Sequence, residues 1–205
     1  MAQQNLKRKF EHVTFSPSIN FEEFGLKFYQ TIRKNNEQNT NIFLSPLSVA
    51  LAMSMCANGA ETKTLEQMLQ TLHYSSLNEL NQTVGQIMKS IILPTSENDH
   101  QQLKLKLANR LYGQQNYKLN DQYLSLLKQH YLTDIKLVDF ENSLSSSTNT
   151  IVQEINQWVE KQTNHLIRNL LSSNDINRDT RLILINCIYF KGILTESISK
   201  IVIRK

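Results

Sequence analysis

The sequence predicts an α+β domain, several helices packed on a partial mixed β-sheet, and three observations predict it. Between Phe21 and Ile91 the apolar residues recur every three or four positions, the period of amphipathic helices. Leu103, Leu105 and Leu107 then alternate with Lys104 and Lys106, the period of a half-buried strand. Finally, Leu182–Phe190 is a nearly continuous apolar run, the pattern of a strand covered on both faces. Helices come first, and strands arrive in the middle and near the end.

Each element has its own signal. Asn20 and Glu23 have capping-box spacing before Phe21, Phe24, Phe28 and Ile32, which gives a helix over 21–34. A polar loop, 35–41, and a short strand, Ile42–Leu44, follow. Ser45 is a candidate N-cap and Pro46 suits the first helical position, opening a helix over 46–58 that Gly59 stops. Val49 through Ala57 is small or apolar on every side, so this helix is expected to be central and covered all round. Leu65, Met68, Leu69 and Leu72 mark a helix over 62–72. Ser76 and Glu79 form a second capping box before a helix over 77–92, which ends ahead of Pro94. After a polar loop at 95–102 come a strand over 103–112, a helix over 121–132 and a strand over 134–140. Ser143–Ser147 is a linker, 148–165 a long helix with Ile151, Ile155, Trp158 and Val159 inward, and 181–190 the last strand.

The chain of 205 residues, 40% hydrophobic and 20% charged, is long enough for one substantial core. Its net charge of +4 sits at the ends: residues 11–190 hold 15 basic and 17 acidic side chains. A nucleic-acid partner is therefore not expected. Tyr112, Tyr117 and Tyr123 near Lys104, Lys106 and Arg110 fit a core pattern better than a stacking platform. No segment has the run of apolar residues needed to span a membrane. No apolar stretch follows Lys7-Arg8-Lys9, so a cytoplasmic or nucleocytoplasmic location is expected. Cys56 and Cys187 lie in apolar contexts and read as reduced core thiols.

Sites for chemistry are missing from the pattern. His12, His73, His100, His130 and His165 are far apart, so no metal or other cofactor is expected. Phosphate-binding glycine loops and nucleophile elbows do not occur. The carboxylate pairs Glu22/Glu23 and Asp139/Glu141 read as solvated surface. Asn81-Gln82-Thr83 is the single N-glycosylation sequon, idle unless the chain is secreted. The chain reads as no enzyme.

Taken together and in order, several motifs resemble the serpin (serine protease inhibitor) family. NIFLSPLSVALAMSMCANGAETKTLEQM is similar to the signature near the start of that domain. ANRLYGQQNYKLN, YLTDIKLVDF, INQWVEKQTNHLIRNLL and LILINCIYFKG follow in the family's order. The likeness runs from about Phe21 to Gly192 and spans roughly the first half of a serpin domain. It implies three parts: an N-terminal extension at 1–20, a partial serpin domain at 21–192, and a tail at 193–205 without the Trp, Phe and Pro character expected there.

The resemblance implies a serine-type endopeptidase inhibitor that traps its protease as a suicide substrate, inserting a cleaved reactive loop into the main sheet. The implied partners are serine proteases, with cysteine proteases as a second class. An extracellular location is the family alternative. The region where the sheet opens falls on Ser45, Pro46, Ser48 and Asn186, with Ser45 either a plain N-cap or a cap with an added gating role. Asn186, midway in an apolar strand, must find hydrogen-bond partners or cost about 1–3 kcal/mol. No reactive-site bond is assigned in these residues, so the chain alone is expected not to inhibit. The alternative is an interaction protein that pairs with a partner chain, or with itself, through an open sheet edge. Heparin binding, known on the helix like 77–92 in some serpins, is not expected, because Lys89 is the only basic residue there.

Overall fold

The computed structural model describes residues 19–36, 40–92, 103–142 and 148–192. The loop at 95–102, the linker Ser143–Ser147, the Lys7-Arg8-Lys9 run and the tail 193–205 lie outside these residues. Among the described residues, six α-helices and three strands appear in this order, with one 3-10 turn (Ser173–Asp175) before the last strand: α1 (Ile19–Asn35), α2 (Pro46–Ala57), α3 (Thr62–Leu72), α4 (Leu77–Ile92), β1 (Leu103–Gln114), α5 (Asp121–Tyr131), β2 (Asp134–Val138), α6 (Thr148–Gln162) and β3 (Leu182–Gly192). The α+β class follows directly.

The strands form one sheet in the order β2-β1-β3. β1 runs parallel to β2, with Leu111 opposite Ile135, and antiparallel to β3, with Ala108 opposite Cys187 and Leu111 opposite Leu184. This register sorts the side chains onto two faces. Tyr112, Ile185 and Cys187 pack under α6 against Val152, Ile155 and Val159. Leu107, Leu111 and Leu184 face the helical layer, where Leu51, Met55, Leu72, Leu80 and Val84 are fully buried. β3 is therefore buried on its α6 face, at Ile185, Cys187 and Tyr189, but only partly covered on its helical face, where Leu184, Asn186 and Ile188 are half-buried and the outer residues Leu182 and Phe190 are exposed.

Some local expectations do not hold. Asn20 lies inside α1 rather than capping it, and its side chain reaches the Glu79 carboxylate. Ser76 does cap α4, accepting from Glu79 N at 3.3 Å, but the Glu79 carboxylate takes the N–H and hydroxyl of Ser75 instead of closing the box on Ser76. Ile42–Leu44 is not a strand, because no described backbone bonds to so short a segment. Helix α2 ends at Ala57 on Asn58, which keeps right-handed backbone, so no left-handed glycine stops it. Helix α6 ends at Gln162, because Asn164 and His165 both adopt positive φ, 52° and 63°.

Helix α2 keeps one side open. It packs against α1, α3, α4, α5 and β3, yet Val49, Ala52 and Met53 are only partly covered and Cys56 is exposed. These four share one stripe of the helix, at three- and four-residue spacing. The described residues cover part of its circumference, not all of it. Cys187 is buried as expected; Cys56 is not a core thiol.

Candidate functional site

Ser45, Pro46, Ser48 and Asn186 come together where the start of α2 meets the middle of β3. Ser45 has extended backbone (φ −116°, ψ 96°), and its hydroxyl accepts the Ser48 N–H at 3.3 Å. That is N-cap geometry. Pro46 fills the first helical position and presses on α1: a Cβ on Gly25 would lie 3.1 Å from the Pro46 ring, so glycine permits that approach. Pro46 thus positions the helix start; it makes no polar contact within the site.

Ser48 and Asn186 are in direct contact. The Ser48 hydroxyl donates to Asn186 Oδ1, tying α2 to β3. Asn186 Nδ2 then donates to Asn109 Oδ1 at 2.6 Å, across the β1–β3 pair. Asn109, 3% exposed, passes the chain on, with Nδ2 donating to the Tyr131 carbonyl at 3.0 Å. One run of side-chain hydrogen bonds therefore links α2, β3, β1 and the end of α5. In so apolar a setting each bond is costly to leave unmade.

Asn109 and Tyr131 are the members that sequence reasoning missed. The signal for Asn109 is present: it occupies the inward position between Leu107 and Leu111, where the alternation demands an apolar residue. Tyr131 is fully buried and carries a second network at its other end. Its hydroxyl donates to Asn81 Oδ1 at 2.8 Å, and Asn58 Nδ2 donates to the same hydroxyl at 3.0 Å. Burial pushes the Tyr131 phenol above its ordinary range and Tyr123 up to about 12.

Next to the polar run lies a free edge. β3 is hydrogen-bonded to β1 on one side, and among the described residues no strand pairs with the other. The edge opens into a groove lined by Pro46, Leu47, Leu166, Ile167, Ile188 and Phe190. Leu166 is 74% exposed, Phe190 62% and Phe43, beside them, 101%. The arrangement suits an added strand with apolar side chains: backbone groups at the edge, apolar walls on either side, and a polar latch behind.

The polar side chains of the site are hydroxyls and amides, from Ser45, Ser48, Asn109 and Asn186. Among the described residues no cluster of three His, Cys, Asp or Glu side chains could hold a metal, and no helix is long and apolar enough to cross a membrane. Asp139 accepts from Asn142 and Gln114, which hold its carboxyl below the usual range in a turn-capping role. Of the tyrosines weighed for stacking, Tyr112 is buried and only Tyr117 is well exposed.

The family model described as Serpin (serine protease inhibitor) matches residues 20–201. Among curated proteins the chain is similar to a leukocyte elastase inhibitor of Xenopus laevis, 36% identical over 80% of this chain and 42% of that protein. It is also similar to human Serpin B3, 35% identical over 83% of this chain and 45% of that one. Among solved structures it resembles emu ovalbumin, with TM-score 0.74 and 27% identity over 86% of this chain and 47% of that chain. An Arabidopsis serpin in its native stressed conformation gives TM-score 0.70 at 28% identity, over 84% of this chain and 42% of that one. A cleaved serpin gives 0.71 at 28% identity, over 84% and 43%. The chain thus spans less than half the length of the relatives it matches, and that half superposes equally well on a stressed and a cleaved form.

Proposed function

Because this chain belongs to the serpin family, we propose that it is part of a serine-type endopeptidase inhibitor, contributing the half of the domain whose sheet opens to receive a strand. The observation that supports this is the Ser48–Asn186 hydrogen bond, placed directly behind the edge of β3 that no described strand pairs. In this reading Ser45 caps α2, Pro46 seats it, and Ser48 with Asn186 holds the sheet until the incoming strand competes. Ser45, Pro46, Ser48 and Asn186 form a sheet-opening site rather than a catalytic one, consistent with a family that inhibits proteases.

The proposed targets are serine proteases, with cysteine proteases as the second class. Nucleic acid, membrane and heparin are not proposed. The domain is proposed to occupy 21–192, with 1–20 as an extension and 193–205 as a tail; the family match itself reaches residue 201. A cytoplasmic or nucleocytoplasmic site of action is the first choice and the extracellular space the alternative.

No part of residues 1–205 is assigned the reactive loop, so the 205-residue polypeptide is expected to form no SDS-stable complex with trypsin-like, chymotrypsin-like or papain-like proteases. The inhibitor reading is tested in a chimera in which residues 21–192 replace the matching half of the Xenopus laevis leukocyte elastase inhibitor. An SDS-stable complex with elastase is expected. A folded chimera that elastase merely cleaves would defeat the reading.

A second reading rests on the partly covered stripe Val49–Ala52–Met53–Cys56 and the exposed Phe43, Leu166 and Phe190. Apolar surface on this scale marks an interaction site. Here the chain acts by pairing with a partner that supplies the missing cover. Binding of the separate C-terminal half of a relative would support it, and a monomer indifferent to that fragment would not.

A further inference from the structure

Asn81 is the acceptor of Asn81-Gln82-Thr83, the only N-x-Ser/Thr sequon in the sequence. Acceptors of N-linked sugars belong on surface loops, because the sugar is bulky and must reach water. Asn81 lies instead within helix α4, turned inward between Leu80 and Val84, and is 7% exposed. Its amide is occupied at both ends. Nδ2 donates to Asn58 Oδ1 at 2.8 Å, while Oδ1 accepts from Asn58 Nδ2 at 2.9 Å and from the Tyr131 hydroxyl at 2.8 Å. These bonds join the end of α2, the first turns of α4 and the end of α5.

We propose that N-glycosylation of Asn81 and folding of this domain exclude each other, so that the folded chain carries no sugar at Asn81. The proposal stands apart from the inhibitor reading. In the transfer, Nδ2 bonds to the anomeric carbon of a sugar carried on a lipid pyrophosphate. That carbon's bond to the phosphate oxygen breaks, and the nitrogen gives up one proton. The sugar must then occupy the space now filled by the Asn58 amide and the Tyr131 ring. Asn58 cannot retreat, because it closes α2, with its N–H and Nδ2 both on the Ser54 carbonyl. Tyr131 is fully buried, and its carbonyl is the acceptor on which Asn109, and through it Asn186 and Ser48, are aligned. A sugar at Asn81 thus dislocates both the helical core and the site at the sheet.

The test is translation of the full 205-residue chain, behind a cleavable secretion signal, into microsomes. A Thr83→Ala variant removes the sequon and leaves the Asn81 contacts intact. A second variant, Thr83→Ala with Lys118→Thr, moves the sequon to Asn116, which is exposed in the turn after β1. Both are expected to resist limited proteolysis, the second with its glycan attached. The chain glycosylated at Asn81 is expected to be digested at least about tenfold faster. Wild-type chain that escapes glycosylation and resists protease also supports the proposal. Equal protease sensitivity of the Asn81 and Asn116 glycoforms, or an unglycosylated wild type that is sensitive, overturns it.

Discussion

Asn186 of β3 stands opposite Asn109 of β1 in the antiparallel register, and the Nδ2 of the first donates to the Oδ1 of the second at 2.6 Å. Two amides paired across an apolar sheet contribute little net stability when satisfied and cost heavily when halved. Their value here is directional. Each amide accepts on one side and donates on the other, so Ser48, Asn186, Asn109 and the Tyr131 carbonyl form a single relay.

The relay should behave as one unit. Asn186→Ala and Asn109→Ala are each expected to lower stability by about 1–3 kcal/mol, since each leaves a buried partner unpaired. The double variant should lose less than the sum, with a coupling of about 0.5–3 kcal/mol. Urea unfolding of the four proteins measures this, and strict additivity would show that the two residues act separately. Ser45→Ala should cost only about 1 kcal/mol if its role is the N-cap alone.

How far this relay can be read in the sequence follows from which parts are local. Ser45 and Pro46 are legible because cap chemistry depends on neighbours in the chain. Asn186 is legible because an amide inside LILINCIYF demands partners. Its partner is not, since only the register decides that Asn109 faces Asn186, and a slip of one residue would turn Asn109 to the α6 face. The same limit explains Ile42–Leu44, a strand-like triplet that needs a backbone partner, and the end of α6, where Asn164 and His165 take left-handed backbone without glycine. The stripe Val49–Cys56 is legible as apolar, but sequence alone cannot say how much cover these residues provide.

Alkali should unfold the helical layer through its tyrosines. The ordinary phenol pKa of 10.0 is raised by burial, to about 12 for Tyr123 and further for Tyr131. The folded state therefore holds these protons more tightly than the unfolded chain. The stability they contribute is fully present below pH 10 and falls as pH rises towards 12. Phenolate absorbance should appear late and together with loss of helical circular dichroism. Early, reversible ionisation of every tyrosine in a still-helical chain contradicts this. Tyr131→Phe, which removes the bonds to Asn58 and Asn81, should cost about 1 kcal/mol at neutral pH.

The two thiols should separate by reactivity. Burial raises both thiols, but Cys56 is exposed at the uncovered stripe of α2, whereas Cys187 is buried under α6 with its thiol pushed up to about 11. A thiol reagent at neutral pH should therefore label Cys56 first and Cys187 only as the domain opens. Mass mapping of the modified peptides reads the order. Equal labelling rates would mean that α6 does not cover β3.

The edge of β3 that no described strand pairs makes the final prediction. An exposed, apolar strand edge is a template for pairing with other chains, and native proteins blunt such edges with charge. Here the edge carries no blunting residue near its middle; Ile188 and Phe190 line it, with Phe43, Leu166 and Ile167 alongside. Each Å² of apolar surface covered there gains about 25 cal/mol. The 205-residue chain is therefore expected to self-associate as its concentration rises, and Phe190→Lys should shift that association to higher concentration. Phe190 is 62% exposed, so the substitution should change the unfolding free energy by no more than about 0.5 kcal/mol. Sedimentation velocity across a concentration series, with thermal unfolding run beside it, separates the two effects. A wild-type chain that stays monomeric throughout would show that the edge is closed in solution.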